Sequence, residues 1–259
     1  MNKLFLSAVF LAGMSGMAVA ADLISEPAPI VVDEAVFDWS GFYVGVQGGF
    51  VSGTVRLDDG FCVQFDDCGA PGSRYYSEPD LSGWEIGGHI GAAKQLGSIV
   101  LGVETDINWS DVSGEAGFTY YDGDSGETGD GNPDEWTEFS LNWEGSAVAK
   151  VGFAVDRFLP YVTAGIAYGQ ADIFSHREFG PEEDIRELDF PHPTANLIGY
   201  TVGVGGAYAV TDNVVVNAEA RYTQYGEIYS HSDLMNDGET LVVDGPQLFR
   251  VQTGVSLKF

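Results

Sequence analysis

Positive charge is what this chain has least of. Only 11 of its 259 residues are Lys or Arg, against 39 Asp or Glu, for a net charge of −28. A nucleic-acid binder needs clustered Lys and Arg to displace counterions, so that class is excluded. Cysteine occurs twice, which excludes a disulfide-dense scaffold. There is no phosphate-binding loop, dinucleotide fingerprint or HExxH zinc motif. Past residue 20 no run of 18 apolar residues occurs, so a spanning helix is not expected there. No stretch carries a sustained 3.6-residue stripe either. Glycine is plentiful at 35 residues, but without the period of collagen. Hydrophobic residues at 44% and aromatics at 13% are too many for a disordered acidic tail.

The amino-terminal end is different in kind. Asn2 and Lys3 carry one positive charge, Leu4 to Val19 are almost all apolar or small, and Ala18-Val19-Ala20 is a small-x-small cleavage site. Residues 1–20 read as a secretory signal peptide, because the run is short for a span of about 20 residues and ends without a charged stop. Residues 21–38, with Pro27 and Pro29 and little period, read as an extended periplasmic linker. Residues 39–259 remain as one β domain, a length that barrels use.

From Trp39 onward, alternation of period two dominates. It predicts eight strands, near 39–51, 81–93, 99–109, 138–155, 159–171, 197–210, 214–225 and 248–259. Tight turns near Leu96-Gly97-Ser98, Asp156-Arg157-Phe158 and Thr211-Asp212-Asn213 join three pairs. The other four connections are much longer. Short turns at one end and long loops at the other are the pattern of an outer-membrane barrel. A strand of about 9–11 residues crosses a bilayer, and closure leaves no unpaired edge in lipid. The expected fold is all-β: an eight-stranded antiparallel up-and-down transmembrane barrel with four long extracellular loops.

The two faces of each strand differ. In the first, Phe42, Val44, Val46 and Phe50 share a side. In the fourth, Phe139, Leu141, Trp143, Ala147, Ala149, Val151 and Phe153 oppose Asn142, Glu144, Ser146, Lys150 and Gly152. Charges in the dry core of a soluble carrier would be costly; in the polar lumen of a membrane barrel they are not. The bulky faces are therefore expected toward lipid. Trp39, Trp84, Trp109, Trp143, Tyr161, Tyr208 and Phe259 lie near predicted strand ends, as interfacial girdles do.

Three internal stretches and the terminus carry a resemblance. They are Trp39-Ser40-Gly41-Phe42-Tyr43-Val44-Gly45, Gly102-Val103-Glu104-Thr105-Asp106-Ile107 with Trp109-Ser110, the segment from Thr211 to Gly226, and Gly254-Val255-Ser256-Leu257-Lys258-Phe259. Their order resembles the small alphaproteobacterial outer-membrane β-barrel family, which contains porin-like surface antigens and haem-binding outer-membrane proteins. The resemblance implies an eight-stranded barrel in a Gram-negative outer membrane, with both termini periplasmic. It also implies that Val255, Leu257 and Phe259 form the carboxy-terminal signal read by the barrel assembly machinery. It implies no single shared activity.

The predicted lumen face carries Glu85, His89, Glu104, Asp106, Glu144, Lys150, Glu219, Arg221, Arg250 and Lys258. Eight strands leave an interior that side chains just fill, so the preferred reading is a paired polar plug. A narrow ion path, opened by exchange of charged partners, is the alternative. The four loop segments hold 26 Asp and Glu against Arg56, Arg74, Arg177 and Arg186, which solvates a surface or receives a cationic partner. Asp122-Gly123-Asp124-Ser125-Gly126-Glu127 has closely spaced oxygens but lacks the full calcium-loop spacing. Cys62 and Cys68 are expected to pair after export. His176, His192 and His231 lie in loops and could ligate haem iron, as the resemblance suggests for some members; the acidic loops work against its propionates.

No nucleophile–base–acid spacing stands out, so the chain is not expected to be an enzyme. Nor is a cofactor or metal expected. The expected role is structural and surface-interacting, with a porin-like diffusion channel or a haem- or cation-binding receptor as alternatives. Expected partners are outer-membrane lipid, lipopolysaccharide and the barrel assembly machinery.

Overall fold

A computed structural model describes residues 37–59, 74–117, 119–121, 128–130, 136–179, 186–191, 194–232 and 239–259. The expected signal peptide, most of the linker, Cys62, Cys68, the run from Asp122 to Glu127 and His192 lie outside the described residues.

Eight long strands form the wall: β1 (Gly41–Asp59), β2 (Asp80–Leu96), β3 (Ile99–Gly117), β4 (Trp136–Phe153), β5 (Phe158–Phe179), β6 (Ala195–Ala209), β7 (Val214–Tyr225) and β8 (Glu239–Lys258). Each pairs antiparallel with its sequence neighbour, and β8 returns to β1, closing the barrel. Closure removes the edges that an open sheet would leave unpaired in lipid.

Three tight turns stand at one end. Gly97 takes a left-handed φ of 64° and Asp156 one of 51°, a conformation that Gly and Asp tolerate best. In the third turn the Thr211 hydroxyl accepts the backbone N–H groups of Asn213 and Val214 at 3.3 and 3.0 Å. At the other end the strands outrun their predicted limits. The β1–β8 ladder continues to Asp59 and Leu241. At about 3.3 Å per residue the 19 residues of β1 run about 60 Å, well past a tilted crossing of a core about 30 Å thick. Short strands Arg74–Ser77, Arg186–Pro191 and Ile228–Ser232 extend the sheet there. Much of what reads as loop is therefore extended ladder.

The outer surface carries Phe42, Val44, Val46 and Phe50 of β1, with Ile90, Val103, Ile166, Val202 and Val251 on other strands, all exposed. Trp84, Trp109, Tyr208 and Phe259 are exposed as well. Trp39 and Tyr161 are not girdle residues: at 6% and 3% exposure they turn inward.

One strand departs from the predicted faces. Leu141 pairs with Ala171 and Trp143 with Gln170, leaving Asn142 as an extra residue in β4. The break in β3 lies between Trp109 and Val112. Beyond this bulge the alternation inverts, so Phe139 and Leu141 point inward and are buried. A period-two reading cannot anticipate one inserted residue, which moves every side chain beyond it to the other face.

The interior is layered. Nearest the turns, Phe37, Trp39, Val100, Leu159, Ala209 and Val215 form an apolar base. Phe37 and Trp39 meet edge to face at 4.8 Å. The Trp39 indole N–H donates to the Asp156 carbonyl at 3.1 Å, and its backbone N–H to the Gln95 side chain at 2.8 Å. At the far end Val51, Leu57, Leu81, Val112, Phe139, Leu141, Ile173 and Leu248 form a second apolar layer. The charged residues lie between them.

Candidate functional site

Strand alternation aims the middle-layer side chains at one another across the lumen. Five carboxyl groups there, Glu85, Glu104, Asp106, Glu144 and Glu219, face three cations, Lys150, Arg221 and Arg250. All eight belong to the expected set, and all but Lys150 are buried.

Arg221 is the hub. Its Nη1 donates to Asp106 at 2.9 Å and to the Ser146 hydroxyl at 2.8 Å, and its Nε to Glu219 at 2.8 Å. Its Nη2 lies 4.0 Å from Glu104. Asp106 also accepts the Ser146 hydroxyl and, at 3.0 Å, the Asn108 amide. Glu219 accepts the Tyr161 and Thr163 hydroxyls at 3.1 and 2.9 Å. Charges buried in this way persist because each is hydrogen-bonded as well as paired.

Two further groups adjoin the hub. Lys150 donates to Glu104 at 2.6 Å, and the Tyr43 hydroxyl donates to the same oxygen at 2.8 Å. The Lys150 ammonium also lies 4.5 Å from the Tyr161 ring centre, a cation–π distance. In the second group Arg250 pairs closely with Glu144 and more loosely, at 3.8 Å, with Glu85. The Tyr225 hydroxyl donates to Glu144 at 2.9 Å. Among the described residues neither Glu85 oxygen meets a nitrogen donor at hydrogen-bond distance, and its carboxyl lies against that of Glu144. Glu85 is the surplus acid of this group.

His89 joins a neutral chain. Its Nδ1 lies 2.9 Å from the Gln47 carbonyl oxygen and its Nε2 2.7 Å from the Ser256 hydroxyl. The Gln47 amide nitrogen donates to Asn108 at 2.9 Å. That leaves the Gln47 oxygen as acceptor and makes Nδ1 the donating nitrogen. A Cβ at Gly45 would stand 2.5 Å from His89 Nε2, so only glycine leaves the ring its place. The Ser256–His89 contact has the spacing of a nucleophile and base. Its third member is an amide rather than an acid. The adjoining cavity, lined by Glu104, Lys150, Tyr161 and Trp39 among others, measures about 60 Å³, far below the several hundred Å³ of a ligand site.

Lys258 stands apart from these groups at the base, its ammonium 5.0 Å from the Phe37 ring. Val255, Leu257 and Phe259 point outward and are exposed. His176 stacks on Trp136 at 5.8 Å, and His231 lies on the short strand Ile228–Ser232. The neutral participants Gln47, Asn108, Ser146, Thr163 and Tyr225 are absent from the expected set. Their signal was positional: they share the inward phase of the charged residues.

Comparison with known proteins places this architecture. The family model for the outer membrane protein β-barrel domain matches residues 7–259. The 31 kDa outer-membrane immunogenic protein of Brucella melitensis is 28% identical, the match covering 98% of this chain and all of that protein. The 22 kDa outer membrane protein of Rhizobium leguminosarum is 29% identical over 72% of this chain and 64% of that one. Among solved structures, the outer membrane protein OprG from Pseudomonas aeruginosa is 12% identical with a TM-score of 0.47, covering 85% of this chain and 97% of that one.

Proposed function

The chain belongs to the outer membrane protein β-barrel family, and from that membership we propose that it is a plugged structural barrel that presents acidic loops at the cell surface. It resides in the outer membrane. One observation carries the plug: three cations and five carboxyl groups, tied by ion pairs, lie between two apolar layers. An ion crossing the lumen would have to displace buried ion pairs and pass both layers. Eight-stranded barrels have interiors that side chains fill, whereas wide aqueous channels belong to about 16 strands or more.

The role at the surface rests on charge. Segments 53–80, 110–137, 172–195 and 226–245 hold 26 acids against four Arg. Relatives named outer-membrane immunogenic proteins support a surface that other molecules meet. A cationic partner fits this charge better than a haem with its two propionates. The outward Val255, Leu257 and Phe259 fit the role of assembly signal.

Single-channel recording of the folded chain in a planar bilayer tests the plug. The expected record is silent across voltage and salt. Discrete, reproducible steps that vanish when the protein is denatured would overturn it and favour a diffusion channel.

A further inference from the structure

The lipid-facing wall is not uniformly bulky. Strand register sets Phe42, Ala92, Val103 and Ala149 side by side in one outward row, and Val44, Ile90, Thr105 and Ala147 in the next. The alanines lower the floor while Phe42, at 73% exposure, and the neighbouring Phe259, at 76%, form a wall. The result is an apolar groove of about 660 Å³, within the size range of ligand sites. Its one polar floor group is satisfied, since the Thr105 hydroxyl donates to the Ser146 carbonyl at 2.8 Å. Farther along β1 a second groove of about 370 Å³ follows, over Gly48 and beside Trp84.

The row beneath the first groove reads Lys94, Leu101, Val151. Lys94 is exposed. Among the described outward residues between the turn end and the Trp84–Trp109 level, it is the charged one. Its long stem can run along apolar surface and leave the ammonium at the headgroup level. The nearby acid, Asp38, is exposed and accepts the Ser40 backbone N–H at 2.8 Å. That hydrogen bond holds its carboxyl below the usual range, with Lys258 and Lys94 adding to the effect. Asp38 thus has a donor of its own besides Lys94.

We propose that this groove binds one glycerophospholipid of the periplasmic leaflet, with an acyl chain over Ala92, Ala147 and Ala149 and an anionic headgroup on Lys94. Depth fixes the leaflet, because the groove lies at the end with the tight turns, which face the periplasm in such barrels. Shape fixes the occupant. A second barrel offers a convex wall that cannot fill a concave groove, whereas an acyl chain can. Charge fixes the headgroup, because a base so placed attracts phosphate on a chain that otherwise repels anions. The inference needs only the membrane setting and is independent of the plug.

Native mass spectrometry of the full chain, released from micelles holding equal phosphatidylglycerol and phosphatidylethanolamine, tests it. The wild-type barrel should retain one lipid, with phosphatidylglycerol favoured about five-fold, as one surface lysine implies. The K94Q barrel should keep the lipid and lose the preference. Filling the groove with A147F and A149F should cut retention about tenfold, the equivalent of two buried methylenes. Ala92→Phe, two strands away on β2, serves as an independent filler. A heat-dependent gel shift selects folded variants. Undiminished retention in the folded fillers would overturn the site, an unchanged preference in K94Q would overturn the headgroup contact, and lipid-free pairs of barrels would assign the groove to a second copy.

Discussion

Arg221 on β7 and Asp106 on β3 meet across the lumen at 2.9 Å, though 115 residues separate them in the chain. No local pattern specifies this contact. It exists only once the strands between them have been laid side by side and the wall has curved. The pair is both the centre of the charged layer and a product of closure.

Removing Arg221 alone should be costly. R221M leaves Asp106 and Glu219 buried without their cation, a loss of about 3–5 kcal/mol. Urea titration of the folded barrel in lipid measures it. Neutralising both acids as well, with D106N and E219Q, should recover most of that loss, because it is an uncompensated charge that is expensive. A triple variant as unstable as R221M would contradict this account.

Glu85 and Glu144 should behave oppositely despite sharing Arg250. Glu144 holds the close ion pair and the Tyr225 hydrogen bond, so E144Q should destabilise by about 3 kcal/mol. Glu85 has the looser contact with that cation and lies against the Glu144 carboxyl itself. E85Q should be within about 0.5 kcal/mol of wild type or more stable, since it removes a surplus buried carboxylate. Equal losses in the two variants would show that both acids are needed.

Deleting Asn142 removes the bulge but keeps the facing it sets. Leu141 would then adjoin Trp143 directly, and ordinary alternation already puts those two on opposite faces, so Phe139 and Leu141 stay inward. The deletion should keep the heat-dependent gel shift of the folded form, as should N142A, which keeps the residue count. Loss of the shift in the deletion alone would show that the bulge itself is needed and not only the facing.

Gly45 is fixed by its neighbours, the His89 ring and the Val255 carbonyl, each 2.5 Å from where a Cβ would stand. G45A should push His89 off Ser256 and cost about 1–3 kcal/mol through overpacking. Adding H89A should give back part of that loss, a coupling that a double-mutant cycle would read directly.

The wall was legible because lipid and lumen impose opposite demands on successive residues. Phe42, Val44 and Val46 announce the outside as plainly as Glu104 and Asp106 announce the inside. The three turns were legible for a similar local reason. Phe139 and Leu141 were misread because an inserted residue leaves no mark in composition. Trp39 was misread because its ring, though near a strand end, is claimed by a socket made of distant residues. The charged residues could be listed from sequence, but not their partners, since Arg250 could have met any acid on the inner face. The length of β1 was hidden for another reason: beyond Val51 its outward residues Ser52, Thr54 and Arg56 are polar, so the lipid-facing signal stops while the backbone ladder continues.

The Trp39 socket bears on how assembly is completed. Its contacts come from the end of β2, the start of β3, the turn between β4 and β5, and the β6–β7 end of the wall. A barrel short of a hairpin, or joined out of order, would present no such socket. The indole would then remain in water. Seating of Trp39 thus marks the joining of these elements around the base, and in a chain whose other four Trp are replaced by Phe its fluorescence would time that moment.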